Sequence, residues 1–200
     1  MGGTFDPIHY GHLLLAQNAL TSFDLDEILF IPSGTPWLKE STKVLPKNKR
    51  VSMTGIAIEE NPQFALSTIE IDRDGNSYSY ETVEELKKSN PDVDYYFIMG
   101  ADSLLQIESW KCPDRLMKEC TLLVAVRNDC DREGLAKQIS YLKGKYEADI
   151  RILETARIDI SSTIIRDMIA EGKSVRYMLP DNVIEFIEKN HLYERSETVE

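Results

Sequence analysis

Two segments of this chain, Asp94–Met99 (DYYFIM) and Thr121–Val126 (TLLVAV), are apolar at nearly every position. A strand with one wet face alternates apolar and polar residues. A strand without alternation must be covered on both sides, the situation of parallel sheets flanked by helices. Helical periods separate these strands. Leu13, Ala16, Leu20 and Phe23 predict a helix over His9–Ser22, and further helices are read at Arg50–Glu60, Ser79–Ser89, Leu104–Trp110, Pro113–Glu119 and Arg132–Tyr146. Asp26–Pro32, Phe64–Asp72 and Ile150–Leu153 read as strands, with a Pro- and Lys-rich loop over Ser33–Asn48 and a turn at Asp74-Gly75-Asn76. This order predicts an α/β fold, a doubly wound parallel sheet over about residues 1–160. A small helical part follows at 161–193, with a helix after Ser162 ended by Gly172 and a last one over Pro180–Lys189. A charged tail at 194–200 completes a single domain.

Composition narrows the functional classes. The net charge of −11 argues against nucleic acid or an acidic membrane as partner, because both need an extended basic face. A small anionic substrate stays compatible, since a few cations can dominate one cleft. No apolar run approaches the roughly 18 residues of a bilayer span, and a cytoplasmic location is expected. Cys112, Cys120 and Cys130 form no CxxC pair, so they read as reduced thiols rather than metal ligands.

The first twelve residues, MGGTFDPIHYGH, concentrate the chemistry. Gly2, Gly3 and Thr4 precede a turn at Asp6-Pro7, and His9 and His12 stand three apart at a helix start. Such a loop can turn backbone N–H groups toward an anion, with two imidazoles as further donors. Read alone, an HxxH pair is more often a capping histidine and a packed one; Gly2, Gly3, Thr4 and Gly11 around it reverse that preference in favour of phosphate. A metal site is weaker, since no further ligand lies nearby in sequence. Ser161 and Ser162, with Arg166 one turn later, form a second anion seat at a helix N-terminus. In a parallel sheet, ligands bind beyond the carboxyl ends of the strands. Gly100-Ala101-Asp102 and Pro32-Ser33-Gly34 occupy such ends and should converge on the opening loop.

Met1–Leu13 resembles the GGTFDPxHxGH signature of the nucleotidyltransferase superfamily, and Ile160–Arg166 is similar to its ISSTxxR signature. Between and after them, Ile69–Arg73, Ser77–Thr82, Phe97–Asp102, Trp110 and Val175–Tyr193 follow the pattern of bacterial nicotinate-nucleotide adenylyltransferases. The resemblance implies a Rossmann-like fold and transfer of the adenylyl group of ATP to nicotinate mononucleotide, with Mg²⁺ bridging the triphosphate oxygens. His9, His12 and Arg166 would be catalytic, stabilising charge without a covalent intermediate. ATP would contact Gly3, Thr4, Phe5, His9, Gly11, His12, Gly100, Asp102, Ser161, Ser162 and Arg166. Nicotinate mononucleotide would contact Thr4, Lys39, Thr82, Asp102 and Trp110, the indole stacking on the pyridine ring. Arg127 could face the same cleft. The Lys39 loop reads Pro36-Trp37-Leu38-Lys39 where the family usually has PPHK. Nicotinamide mononucleotide or phosphopantetheine as acceptor, and a non-catalytic nucleotide-binding module, are the competing readings. A homodimer would be supported by apolar residues in the C-terminal half. Family members carry a strand immediately before GGTFDP, and Met1 leaves no room for it. The first strand is therefore expected to be absent, leaving buried neighbours unpaired at about 1–3 kcal/mol each, with lowered stability and weak ATP binding.

Overall fold

The computed structural model describes residues 1–36, 44–126, 131–156 and 158–195. Every strand ladder in it is parallel. Strand β2 (Ile28–Pro32) lies between β1 (Gly2–Gly3) and β4 (Phe64–Leu66), and β3 (Thr35–Pro36) pairs with β5 (Asn76–Ser77). In the second half, β7 (Thr121–Val126) lies between β6 (Tyr96–Gly100) and β8 (Ile150–Glu154). Helices α1 (Tyr10–Ser22), α2 (Lys47–Ile58), α3 (Ser79–Ser89), α4 (Ala101–Leu105), α5 (Pro113–Glu119) and α6 (Arg132–Tyr146) alternate with the strands. Helices α7 (Ser162–Ala170) and α8 (Asp181–Lys189) follow. The chain is thus α/β as read from its alternation. No helix among the described residues is long and apolar enough to cross a membrane.

The unbroken apolar runs are explained by two cores, one on each face. Leu123 of β7 packs with Phe5, Ile8, Phe30, Ile98 and Ile165. Its neighbours Leu122, Val124 and Val126 pack on the other face with Leu104, Leu116, Leu135 and Leu142. Both faces of β7 are therefore dry, and neither could carry polar residues without unpaired groups.

Two elements differ from their sequence reading. The helix expected over Leu104–Trp110 stops at Leu105, and a 3₁₀ turn, Ile107–Ser109, follows it. The tighter turn puts Ile107 fully into the second core and leaves Trp110 in extended backbone. The strand expected over Phe64–Asp72 ends at Leu66. Beyond it the chain curls, with the Ile71 and Asp72 N–H groups donating to the Thr68 carbonyl at 2.7 and 2.9 Å.

Of the first strand only a two-residue end, Gly2–Gly3, is formed. Gly2 and Gly3 pair with Ile31 and Pro32. The Met1 amino group donates to the Leu29 carbonyl at 2.8 Å, and the Met1 carbonyl accepts from Ile31 N–H at 3.0 Å. Two residues suffice to aim the glycine loop, because their ladder ends where that loop begins. They do not fill the sheet. A cavity of about 1030 Å³ lies between Ile28, Leu29 and Ile31 on one side and the segment from Tyr95 to Met99 on the other. The strands consequently form two three-stranded parallel sheets and the two-stranded β3–β5 pair. Extending the chain before Met1 by five β-branched residues should continue β1 into this gap and raise Tm by about 5 °C or more, read by differential scanning calorimetry. An unchanged Tm would mean that the gap does not accept a strand.

Candidate active site

The glycine loop between β1 and α1 is held by its carbonyls. Ser33 N–H donates to the Gly3 carbonyl at 2.8 Å, and Arg50 Nη1 donates to the Thr4 carbonyl at 2.8 Å. Arg166 Nη1 reaches the Asp6 carbonyl at 2.7 Å, and Ser162 Oγ reaches the Pro7 carbonyl at 2.9 Å. The Asp6 carboxylate accepts from the Tyr193 hydroxyl at 2.7 Å. A loop whose acceptors are satisfied from behind keeps its N–H groups for an anion. Gly3 is required by packing, since a Cβ there would stand 2.7 Å from the Phe5 ring. That ring is buried and meets His12 edge-on, with centroids 5.1 Å apart. Phe5 therefore supports His12 with its side chain, and only its backbone could meet a nucleotide.

Arg50 is the centre of this arrangement, and it was not among the sequence-derived site residues. It is buried at 1% exposure. Besides Thr4, its guanidinium donates to the Leu45 carbonyl at 3.1 Å, the Ser33 carbonyl at 2.7 Å and the Gly34 carbonyl at 3.1 Å. One cation thus ties the glycine loop, the end of β2 and the segment entering α2. Its signal was available: Arg50, Met53, Thr54 and Ile58 share the buried stripe of α2, where an arginine needs a dedicated set of acceptors.

His9 and His12 form a stacked pair, centroids 3.8 Å apart and planes 27° from parallel. The His9 backbone N–H donates to His12 Nδ1 at 3.3 Å. With Nδ1 accepting, a neutral His12 carries its proton on Nε2, and His12 lines the cavity. Burial pushes the His9 imidazole down to about 4, so it is neutral at pH 7. Its Nδ1 is buried with no hydrogen-bond partner among the described residues, the kind of orphan that a bound ligand satisfies. At Gly11 a Cβ would lie 3.0 Å from the His9 ring, a contact that would require the ring to shift by a few tenths of an ångström.

The same cavity is lined by Gly3, Thr4, His12, Ser33, Glu70, Ser77, Thr82, Gly100 and Trp110. The structure therefore brings Gly3, Thr4, His12, Thr82, Gly100 and Trp110 together, as the sequence reading required. Trp110 meets Phe97 edge-on at 6.2 Å. Thr82 is more committed than expected. Its hydroxyl donates to Glu70 Oε1 at 2.9 Å and accepts from Arg73 Nη1 at 3.1 Å. Glu70, unassigned from sequence, is buried, and its carboxyl is pushed up by desolvation against the opposing pull of Thr82, Ser77 and Arg73. Close packing extends to Gly34, whose N–H donates to Ser77 Oγ at 3.0 Å and where a Cβ would lie 2.1 Å from the Glu70 carbonyl oxygen.

Other sequence-derived residues stand outside the lining of this cavity. Ser161 caps α7, accepting from Ile164 N–H at 3.2 Å. Arg166 binds Thr163 Oγ1 at 3.2 Å as well as Asp6, so α7 braces the loop in this structure. Asp102 is exposed in the first turn of α4. Lys39, with its neighbours Trp37 and Leu38, and also Arg127 and Cys130, lie outside the described residues. Among the described residues no cluster of three or more His, Cys, Asp or Glu side chains could hold a metal ion.

Two measurements check this geometry. Arg50→Lys removes the planar fork that meets several carbonyls at once, and should lower stability by about 3 kcal/mol in urea unfolding. For His9 the folded value of about 4 lies below the ordinary 6.5, so the folded state resists the proton that the unfolded chain accepts. Its contribution is complete above pH 6.5 and is lost as pH falls toward 4. The Tm of His9→Asn should accordingly depend less on pH across that window than the parent's.

Comparison with known proteins gives the family. Residues 1–168 match the cytidylyltransferase-like family. A probable nicotinate-nucleotide adenylyltransferase of Clostridium botulinum (strain Eklund 17B) is 43% identical over 193 residues, 96% of each chain. One from Lachnoclostridium phytofermentans is 40% identical over 193 residues, again 96% of each. Among solved structures, Plasmodium falciparum nicotinic acid mononucleotide adenylyltransferase complexed with NaAD superposes with a TM-score of 0.77 at 20% identity. That match covers 96% of this chain and 94% of the other, and it shows the shared Rossmann-like fold. Two glycine-loop histidines, a braced anion loop and close relatives over almost the entire length lead to one assignment: the chain belongs to the cytidylyltransferase-like family and, within it, to the nicotinate-nucleotide adenylyltransferases.

Proposed function

We propose that this enzyme transfers the adenylyl group of ATP to nicotinate mononucleotide, giving deamido-NAD and pyrophosphate in NAD biosynthesis. The observation that carries this reading is one cavity with His12 on its wall, beside the glycine loop, and Trp110 across it beyond β6. An anion-binding loop and an aromatic plate in one cleft suit a substrate pair of triphosphate and aromatic nucleotide.

In the reaction, a phosphate oxygen of nicotinate mononucleotide attacks the α-phosphorus of ATP. The bond from that phosphorus to the bridging oxygen breaks, and pyrophosphate leaves with the electron pair. The protein has only to align the two phosphates and to stabilise charge on the transferring group. His12 supplies the Nε2–H donor, and neutral His9 supports it from behind. Gly3, Thr4, Phe5 and Gly11 shape the loop for the phosphates, and Gly100 borders the nucleotides. Ser162 and Arg166 brace the loop, and Ser161 caps the helix that carries them; together they serve as the triphosphate seat. Asp102, in the first turn of α4, accepts from a ribose hydroxyl in this reading. Thr4, Lys39, Thr82, Asp102 and Trp110 serve the acceptor, with Thr82 acting as a fixed wall because its hydroxyl is held by Glu70 and Arg73. The nucleotide enters as MgATP, the ion being carried on phosphate oxygens as part of the substrate.

Pyrophosphate release with each acceptor tests the reading. Nicotinate mononucleotide should support faster turnover than nicotinamide mononucleotide. A preference for the amide would overturn the acceptor, and saturable ATP binding without pyrophosphate would overturn catalysis. His12→Ala should lower kcat by about 10²-fold, as for loss of a transition-state donor. A change confined to KM would assign His12 to ground-state binding instead.

A further inference from the structure

Trp110 follows the 3₁₀ turn Ile107–Ser109, and that turn is gripped from outside by α6. Glu108 Oε1 accepts from Lys145 Nζ at 2.7 Å, Tyr146 Oη at 3.1 Å and Tyr141 Oη at 3.2 Å. Lys145 Nζ in turn donates to Tyr141 Oη at 2.8 Å and lies over the Tyr141 and Tyr146 rings, 5.2 and 4.9 Å from their centroids. Three α6 side chains at positions i, i+4 and i+5 therefore converge on one carboxylate oxygen.

The turn is fixed on its inner side as well. Ile107 is fully buried, the Trp110 N–H donates to the Ile107 carbonyl at 3.0 Å, and Ser109 Oγ donates to the Gln106 carbonyl at 2.7 Å. Beyond Trp110, Cys112 turns the chain in left-handed backbone (φ 48°) into α5. Ile107 thus fixes the depth of the turn, and Phe97 meets the indole edge-on at 6.2 Å. The outer grip on Glu108 adds a directional restraint two residues from the indole. A lone exposed ion pair contributes little to stability. Three donors on one oxygen, with the lysine seated between two rings, constrain direction instead.

We propose that Glu108 is a positioning residue for the acceptor: through its grip by Tyr141, Lys145 and Tyr146 it sets the orientation of Trp110, and so the affinity for the pyridine ring that stacks there. This rests on the reading of Trp110 as the acceptor plate. The effect falls on acceptor binding and not on the transferring phosphorus, because the glycine loop and its histidines belong to other elements. It also makes the outer face of α6 a determinant of acceptor affinity although α6 contributes nothing to the lining of the cavity.

The test is steady-state kinetics on the full chain with Glu108→Ala, Glu108→Gln and Trp110→Ala, together with Trp110 fluorescence anisotropy in a Trp37→Phe background. Glu108→Ala should raise KM for nicotinate mononucleotide about fivefold, leave KM for ATP and kcat within twofold, shift Tm by less than about 2 °C, and lower the anisotropy. Glu108→Gln keeps an acceptor oxygen and should fall between Ala and the parent. If Trp110→Ala raises the acceptor KM while Glu108→Ala matches the parent, the positioning role is overturned. If Trp110→Ala leaves the acceptor KM unchanged, the stacking reading fails, and the anisotropy of Glu108→Ala alone then decides whether the grip orients the indole.

Discussion

A guanidinium that bonds no carboxylate among the described residues holds the functional half of this molecule together. Arg50 donates to the carbonyls of Thr4, Ser33, Gly34 and Leu45, which belong to three separate segments. Removing a cation from water is unfavourable unless its donors are met, and a planar fork can meet several carbonyls at once where an ammonium cannot. Desolvation lowers the guanidinium from its ordinary value, and Asp6, Tyr193 and Glu70 oppose that shift. The charge therefore stays, and with it a positive centre behind a loop whose task is to meet phosphate.

The loop's other restraints come from the far end of the chain. Arg166, Ser162 and Tyr193 reach Asp6 and Pro7 across more than 150 positions of sequence. The C-terminal helices thus close the site, while the sheet supplies its direction. Trp110 is positioned by a different logic, a buried isoleucine below and an ionic grip above. The two ends of the cleft are accordingly built by independent devices. A change at one need not disturb the other, which suits an enzyme that binds two substrates in one cavity.

Much of this was readable in the residues. The unbroken apolarity of Thr121–Val126 required cover on both faces, and the two cores provide it. The glycines, the histidine pair and Trp110 marked the site because each residue type has a narrow set of physical uses. Arg50 and Glu70 escaped notice since charged residues are common and only burial distinguishes them. Thr82 lines the cavity, but its hydroxyl proved to be engaged by Glu70 and Arg73, partners twelve and nine positions away. Of the first strand only the end that the sequence reading left in the chain, Gly2–Gly3, is formed. Pairing needs only an edge with free groups, and Ile31 and Pro32 of β2 supply one to Gly2 and Gly3.

By itself the sequence determined the class of fold, the chemistry of the cleft and the residues that could meet phosphate. These follow from periodicity and residue type, which are local properties. Tertiary structure alone decided which groups those residues actually face. It turned His9 neutral by burying it, fixed the His12 proton on Nε2 through a backbone donor, and gave Arg166 and Ser162 to the loop carbonyls. It also decided that the two three-stranded parallel sheets stand apart around a cavity. The reason is common to all four: protonation, hydrogen-bond partner and strand pairing depend on the nearest atoms in space, which chain order does not specify.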